Sequence, residues 1–244
     1  MITVRRADSL GLVQSDRLAL RCHFAFATYR DPAYQHEGRL RALNLGALSP
    51  FGTYSLGPEA EVDILTWVQA GSLTAQVDDF APESLQAEGL HLISTGSGCQ
   101  MLTWQAGAEG ASFLQFWFLP DTEAGTPRQE SRAGFSQTED GGFRILASGF
   151  PEDDPEETET VTDGAPVALS AGARLLHAAI PAGEGAAYRT SPARDLYLVV
   201  VSGVVRVQET VLKAGDAVAA QGVTTLTVMA REQAVVLLTD VAAV

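Results

Sequence analysis

The chain has 244 residues, 46% of them hydrophobic, enough to fill a sizeable core in one large β domain or two small ones. Its 30 acids against 16 bases leave a formal charge of −14, a field that repels phosphate backbones and anionic membrane surfaces. Arg5, Arg6, Arg39 and Arg41 are scattered among apolar residues and form no basic patch, so neither nucleic acid nor membrane is expected as a partner.

At the N-terminus, MITVRRADSLGLVQSDRL is broken by Asp8, Ser9, Asp16 and Arg17 too soon for a signal-peptide core, and nowhere do about 18 apolar residues run together. A soluble, cytoplasmic monomer is expected. Cys22 and Cys99 stand far apart, outside any CxxC or Cys/His cluster, and read as buried thiols rather than a disulfide or zinc site. Strand-like runs rich in Val, Leu, Thr and aromatics follow: ILTWV (64–68), FLQFWF (113–118), LYLVVV (196–201), VTTLTV (223–228) and AVVLLT (234–239). Between them PEDDPEETETVTDGAP (151–166) is too polar and proline-rich to offset its ordering entropy. It reads as a solvated linker, with Glu152, Asp153, Asp154, Glu156 and Glu157 repelling one another. The division is therefore 1–150, a linker at 151–166, and 167–244.

The two halves repeat. With Gly71 set against Gly203, ILTWVQAGSLTAQ (64–76) overlays LYLVVVSGVVRVQ (196–208), as expected of one duplicated β-barrel motif. Glycine at that point fits a hairpin turn needing positive φ.

Several segments together resemble the pirin-like branch of the cupins. They are FAFATYRDPAY (24–34), LRALNLGAL (40–48), FGT (51–53) with DILTWVQAG (63–71), STGSG (94–98) and LQFWFLPDTEAGTPR (114–128). In the second half LHAAIPAGEGAAY (176–188), LKAGDAVAA (212–220) and AVVLLTDV (234–241) resemble the second cupin by pattern. The resemblance implies an all-β bicupin, with two double-stranded β-helix barrels in one chain: an N-terminal cupin domain (1–150), the acidic linker and a C-terminal cupin domain (167–244).

Metal-binding members of that family carry a His-x-His pair before the ILTYV-like strand and a His-x-Glu pair after the Gly-x-Gly. Counted back from Ile64, the first pair falls on Gly57 and Glu59; counted forward from Phe51–Thr53, on Tyr54 and Leu56. The second falls on Met101 and Thr103. A mononuclear iron, manganese or nickel centre needs several converging N/O donors, and these positions offer one carboxylate and one soft thioether. No metal or other cofactor is expected. The remaining histidines, His23, His36, His91 and His177, are too dispersed for a local pair. His91, on the strand leading into STGSG, is the best placed of them but reads as a core residue, and Cys99 with Met101, sharing a face if extended, reads as packing. Glu59, Glu61 and Asp63 alternate along what reads as a solvated strand edge. The expected pocket of the first barrel is lined by Tyr54, Glu59, His91, Met101 and Trp117, with no catalytic residue assigned.

The function expected is that of a non-catalytic cupin binding a small molecule or a protein. The alternative implied by the resemblance is a quercetin 2,3-dioxygenase-type enzyme with an atypical metal site. Nuclear relatives also imply transcriptional co-regulation through a protein surface.

Overall fold

The computed structural model describes residues 1–121, 125–135, 142–153 and 166–243. In chain order the first strands are β1 (Ile2–Arg5), β2 (Gly11–Gln14), β3 (Leu18–Cys22), β4 (Leu40–Leu48), β5 (Thr53–Leu56), β6 (Asp63–Val77) and β7 (Glu83–Gln86). Next come β8 (Leu90–Ser94), β9 (Leu102–Phe118), β10 (Arg128–Arg132), β11 (Arg144–Ser148), β12 (Val167–Ala168) and β13 (Ala173–Ile180). The last are β14 (Gly185–Arg189), β15 (Arg194–Ser202), β16 (Val204–Val207), β17 (Thr210–Lys213), β18 (Ala217–Gln221), β19 (Thr225–Ala230) and β20 (Ala234–Ala242). Two 3-10 turns, Ala7–Ser9 and Pro151–Asp153, are the helical elements described. No helix among the described residues is long and apolar enough to cross a membrane.

The fold is an all-β bicupin. A nine-stranded sheet follows the path β10-β8-β6-β9-β4-β3-β2, with β5 on β9 and β7 on β6; the first barrel curls from it. The second barrel combines a seven-stranded sheet, β1-β18-β15-β20-β13-β11-β12, with a four-stranded one, β14-β19-β16-β17. Strands that are apolar on both faces, such as β8 and the second half of β9, are buried on both sides. On one parity Ile64, Val68, Phe113 and Trp117 fill the first barrel. On the other, Leu65, Trp67, Leu114 and Phe116 meet Leu175, Tyr197, Val199 and Leu237 of the second unit. The second barrel has its own interior of Leu176, Leu198, Val205, Val228 and Leu238.

Gly71 and Gly203 are geometrically equivalent, with φ of +74° and +77°, but neither makes the expected hairpin. Gly71 lies inside the single long strand β6 at a register shift against β9, and Gly203 separates β15 of the seven-stranded sheet from β16 of the four-stranded one. A Cβ there would lie 2.1 Å from the Gly110 carbonyl oxygen or 2.2 Å from that of Gln233, so the close backbone approach, as well as the positive φ, selects glycine.

Strand pairing also redraws the expected boundary. β1 pairs with β18 and β11 with β13, so residues 2–5 and 144–148, assigned from sequence to the first unit, are strands of the second. Of the expected linker, residues 154–165 lie outside the described residues, and Pro151–Asp153 forms a turn whose carboxylates are hydrogen-bonded to Arg174, with Glu152 still about half exposed.

Candidate functional site

The strands expected to carry metal ligands are β5 and the start of β9, which pair in the register Tyr54↔Trp104, Ser55↔Thr103 and Leu56↔Leu102. Alternation sends Tyr54, Leu56, Leu102 and Trp104 into the first barrel, where all four join its apolar cluster. The Tyr54 and Trp104 rings stack with centroids 5.4 Å apart. Burial pushes the Tyr54 hydroxyl well above its ordinary pKa, with the neighbouring Cys22 thiol and Glu59 carboxyl adding to the shift.

Several expected positions lie elsewhere. Met101 is 53% exposed and does not line the barrel. Thr103 faces outward, its Oγ1 sharing a hydrogen bond with Ser55 Oγ at 3.0 Å. Cys99 is buried in the barrel cluster, so it and Met101 do not share a face. Asp78 helps hold this turn, its carboxylate accepting from the backbone N–H groups of Gln100 (3.0 and 3.1 Å) and Met101 (2.8 Å). Gly57 is exposed at φ +140°, and a Cβ there would lie 2.2 Å from the Gln100 carbonyl oxygen, leaving no room for a ligand side chain. Glu59 does reach the barrel mouth. Its backbone bridges Cys99 through hydrogen bonds of 3.0 and 2.8 Å, and partial burial raises its carboxyl pKa.

The expected acidic edge is broken as well. Glu61 adopts φ +54° and is exposed, whereas Asp63 is buried, accepting from Ser94 Oγ at 2.6 Å and the Ser170 N–H at 2.5 Å. Among the described residues, no three His, Cys, Asp or Glu side chains converge as a metal cage would require.

Trp117 is nearly enclosed in the barrel, edge-on to Phe26 at 5.1 Å. His91 is fully buried and shares its strand face with Ile93. Burial pushes its pKa down to about 4, against a weaker opposing effect of the Gln129 amide, so the ring is neutral at pH 7. Beyond that weak Gln129 contact, neither ring nitrogen finds a well-formed hydrogen bond among the described residues.

His91 proves to be one end of a polar row missed in the sequence reading. The pairings His91↔Thr66, Thr66↔Gln115, Gln115↔Asn44 and Asn44↔Cys22 run across β8, β6, β9, β4 and β3 on the barrel-facing side. All five residues have zero exposure or are fully buried. Gln115 Nε2 donates to Thr66 Oγ1 at 3.2 Å, but among the described residues Gln115 Oε1 and both amide atoms of Asn44 lack partners, as do Tyr54 OH and the indole nitrogens of Trp104 and Trp117. The signal was a single polar residue at inward parity within an apolar strand, as in LNL and LQF.

Against this geometry the comparisons with known proteins are informative. A pirin-like protein of Caulobacter vibrioides is 30% identical over 243 residues, spanning 99% of this chain and all of the relative. This chain belongs to the pirin-like family. A Pseudomonas aeruginosa protein named as a putative quercetin 2,3-dioxygenase is 31% identical over 99% of this chain and 100% of its own length. The quercetinase C-terminal cupin domain family matches residues 161–241. The bacterial pirin YhhW of Escherichia coli, solved with nickel(II), has the same fold, with a TM-score of 0.85 at 23% identity over the whole of both chains.

The donors in this pirin-like chain do not fit the metal its fold family implies. Leu56, Leu102 and an indole donate no lone pair to a cation, and a phenol held protonated is a poor ligand. Glu59 offers a carboxylate, but among the described residues it has no two further His, Cys, Asp or Glu partners to complete a site.

Proposed function

We propose that this is a pirin-like bicupin without a functional metal site, acting as a non-catalytic binding cupin. The observation that carries the reading is the apolar quartet Tyr54, Leu56, Leu102 and Trp104 on the strands where donors would have to project. A ring stack and two leucines stabilise the barrel by packing and leave no open coordination position for oxygen or substrate. The unpaired groups of Asn44, Gln115, His91 and Tyr54 support a small, uncharged, hydrogen-bonding ligand or ordered water in the barrel, because burying such groups unmet is unfavourable.

Elemental analysis of protein purified without chelator tests the proposal. Substoichiometric iron, manganese, nickel and copper, with no oxygen uptake on a flavonol, is the expected result. Stoichiometric metal with oxygen consumption overturns it in favour of a quercetin 2,3-dioxygenase-type enzyme, the reading favoured by the names of the relatives.

A further inference from the structure

The second barrel carries paired charges, whereas the first carries the Glu59 carboxylate at its mouth. Arg174 on β13, Arg194 on β15 and Asp240 on β20 share the parity of Leu176, Leu196 and Leu238, which fill that barrel. Being at the ends of their strands, they stand at its mouth. Asp240 is fully buried and accepts from Tyr188 OH at 2.6 Å, Thr190 Oγ1 at 3.3 Å, Arg194 Nη1 at 3.3 Å and Arg174 Nη1 at 3.5 Å. It thereby fixes one side of each guanidinium.

The other sides are taken by the chain itself. Asp153 lies across Arg174 in a bidentate pair, Nε to Oδ2 and Nη2 to Oδ1 at 3.0 Å. Glu152 Oε1 bridges Arg174 Nη2 at 3.0 Å and Arg194 Nη2 at 2.9 Å. The Phe150 ring covers both cations, 3.8 Å from Arg194 Cζ and 4.8 Å from Arg174 Cζ. One short turn thus places an aromatic ring and a carboxylate together on two arginines. Forked pairing and stacking on a guanidinium plane are how arginine recognises such groups in a ligand.

We propose that the mouth of the C-terminal barrel is a binding site for an aromatic carboxylate, filled in this structure by the chain's own Phe150, Glu152 and Asp153. With the turn in place, two arginines face three carboxylates. Without it they face Asp240 alone, and the surplus positive charge recruits a monoanion. Tyr188 and Thr190 keep Asp240 satisfied throughout, so the fork of Arg174 stays oriented for the incoming carboxylate. The proposal is independent of whether the first barrel holds a metal.

The test is calorimetric titration of benzoate into the full chain and into the double variant Glu152→Ala, Asp153→Ala, with folding checked by circular dichroism. Benzoate is expected to bind the variant at least about tenfold more tightly than the unmodified protein, and to raise the variant's melting temperature. Adding Arg194→Gln is expected to abolish that binding, and benzamide, which lacks the charge, is expected not to bind. Acetate binding the variant as tightly as benzoate would remove the aromatic class. A folded variant that binds benzoate no better than the unmodified protein overturns the proposal and leaves the turn as a structural staple. Should the variant not fold, hydrogen exchange on the unmodified protein decides: benzoate is expected to speed exchange of the Phe150 and Asp153 amides, and unchanged rates up to saturation overturn the proposal.

Discussion

Trp104→Ala and Met101→Ala, compared side by side, test the register on which the metal-site argument depends. Trp104 is fully enclosed and stacked on Tyr54, with centroids 5.4 Å apart. Truncating a buried tryptophan destabilises by about 3–5 kcal/mol, including the cavity left behind, and losing an aromatic pair lies within that range. In a chain of this size each kcal/mol moves the melting temperature by about 2–4 °C, so a loss near 4 kcal/mol lowers it by roughly 8–16 °C. Met101 is 53% exposed, and truncation at such a site changes stability by about 0.5 kcal/mol or less, roughly 1–2 °C. Scanning calorimetry on the two variants and the unmodified protein measures both. Equal losses, or the larger loss at Met101, would place Met101 inside the barrel and refute the apolar quartet.

Introducing imidazole at the positions counted from the sequence, Glu59→His with Met101→His, is expected to leave nickel uptake unchanged by elemental analysis, because residue 101 projects into solvent. Stability is expected to fall on acidification through His91. Its folded pKa of about 4 lies below the unfolded value of 6.5, so the unfolded state takes up the proton first; the contribution is complete above pH 6.5, declines as pH falls through about 4, and amounts to roughly 3 kcal/mol. His91→Gln should flatten a plot of unfolding free energy against pH in that window, and an unchanged slope would show the ring to be protonated in the fold. A fragment of residues 151–244 lacks β1 and β11, which cover β18 and β13 in the seven-stranded sheet, and bare strand edges of this kind pair with other chains. It is expected to aggregate in size-exclusion chromatography, whereas a monodisperse, folded fragment would show those strands to be dispensable.

The strand cores at 64–68, 113–118 and 196–201 were legible because they are apolar on both parities, the pattern of strands covered on two sides. The shared positive-φ position was legible through Gly71 and Gly203, although a break within a strand and a hairpin turn leave the same glycine in a sequence. The facing of residues 99–104 was not legible. The turn that sets it is held by contacts distant in sequence, the Glu59 backbone on Cys99 and the Asp78 carboxylate on the Gln100 and Met101 amides. A shift of one residue then exchanges the two faces of everything that follows. The acidic alternation failed for a local reason of the same kind: the left-handed backbone at Glu61 interrupts the period of two, so that Asp63 enters the domain junction instead of solvent.

The two barrels therefore present different electrostatics to a molecule approaching their interiors. In the first, the groups at inward parity are neutral: His91 is deprotonated at pH 7, and burial pushes the Cys22 thiol up to about 11. Bringing an ion into such an enclosure means shedding its hydration against dipoles alone, which is strongly unfavourable. In the second, Arg174 and Arg194 are already held at the mouth by a buried carboxylate, so the desolvation of charge is met within the fold before any ligand arrives. On the two proposals made above, an uncharged molecule suits the amino-terminal barrel and an anion the carboxy-terminal one, and a mutation in either is expected to leave binding at the other unaffected.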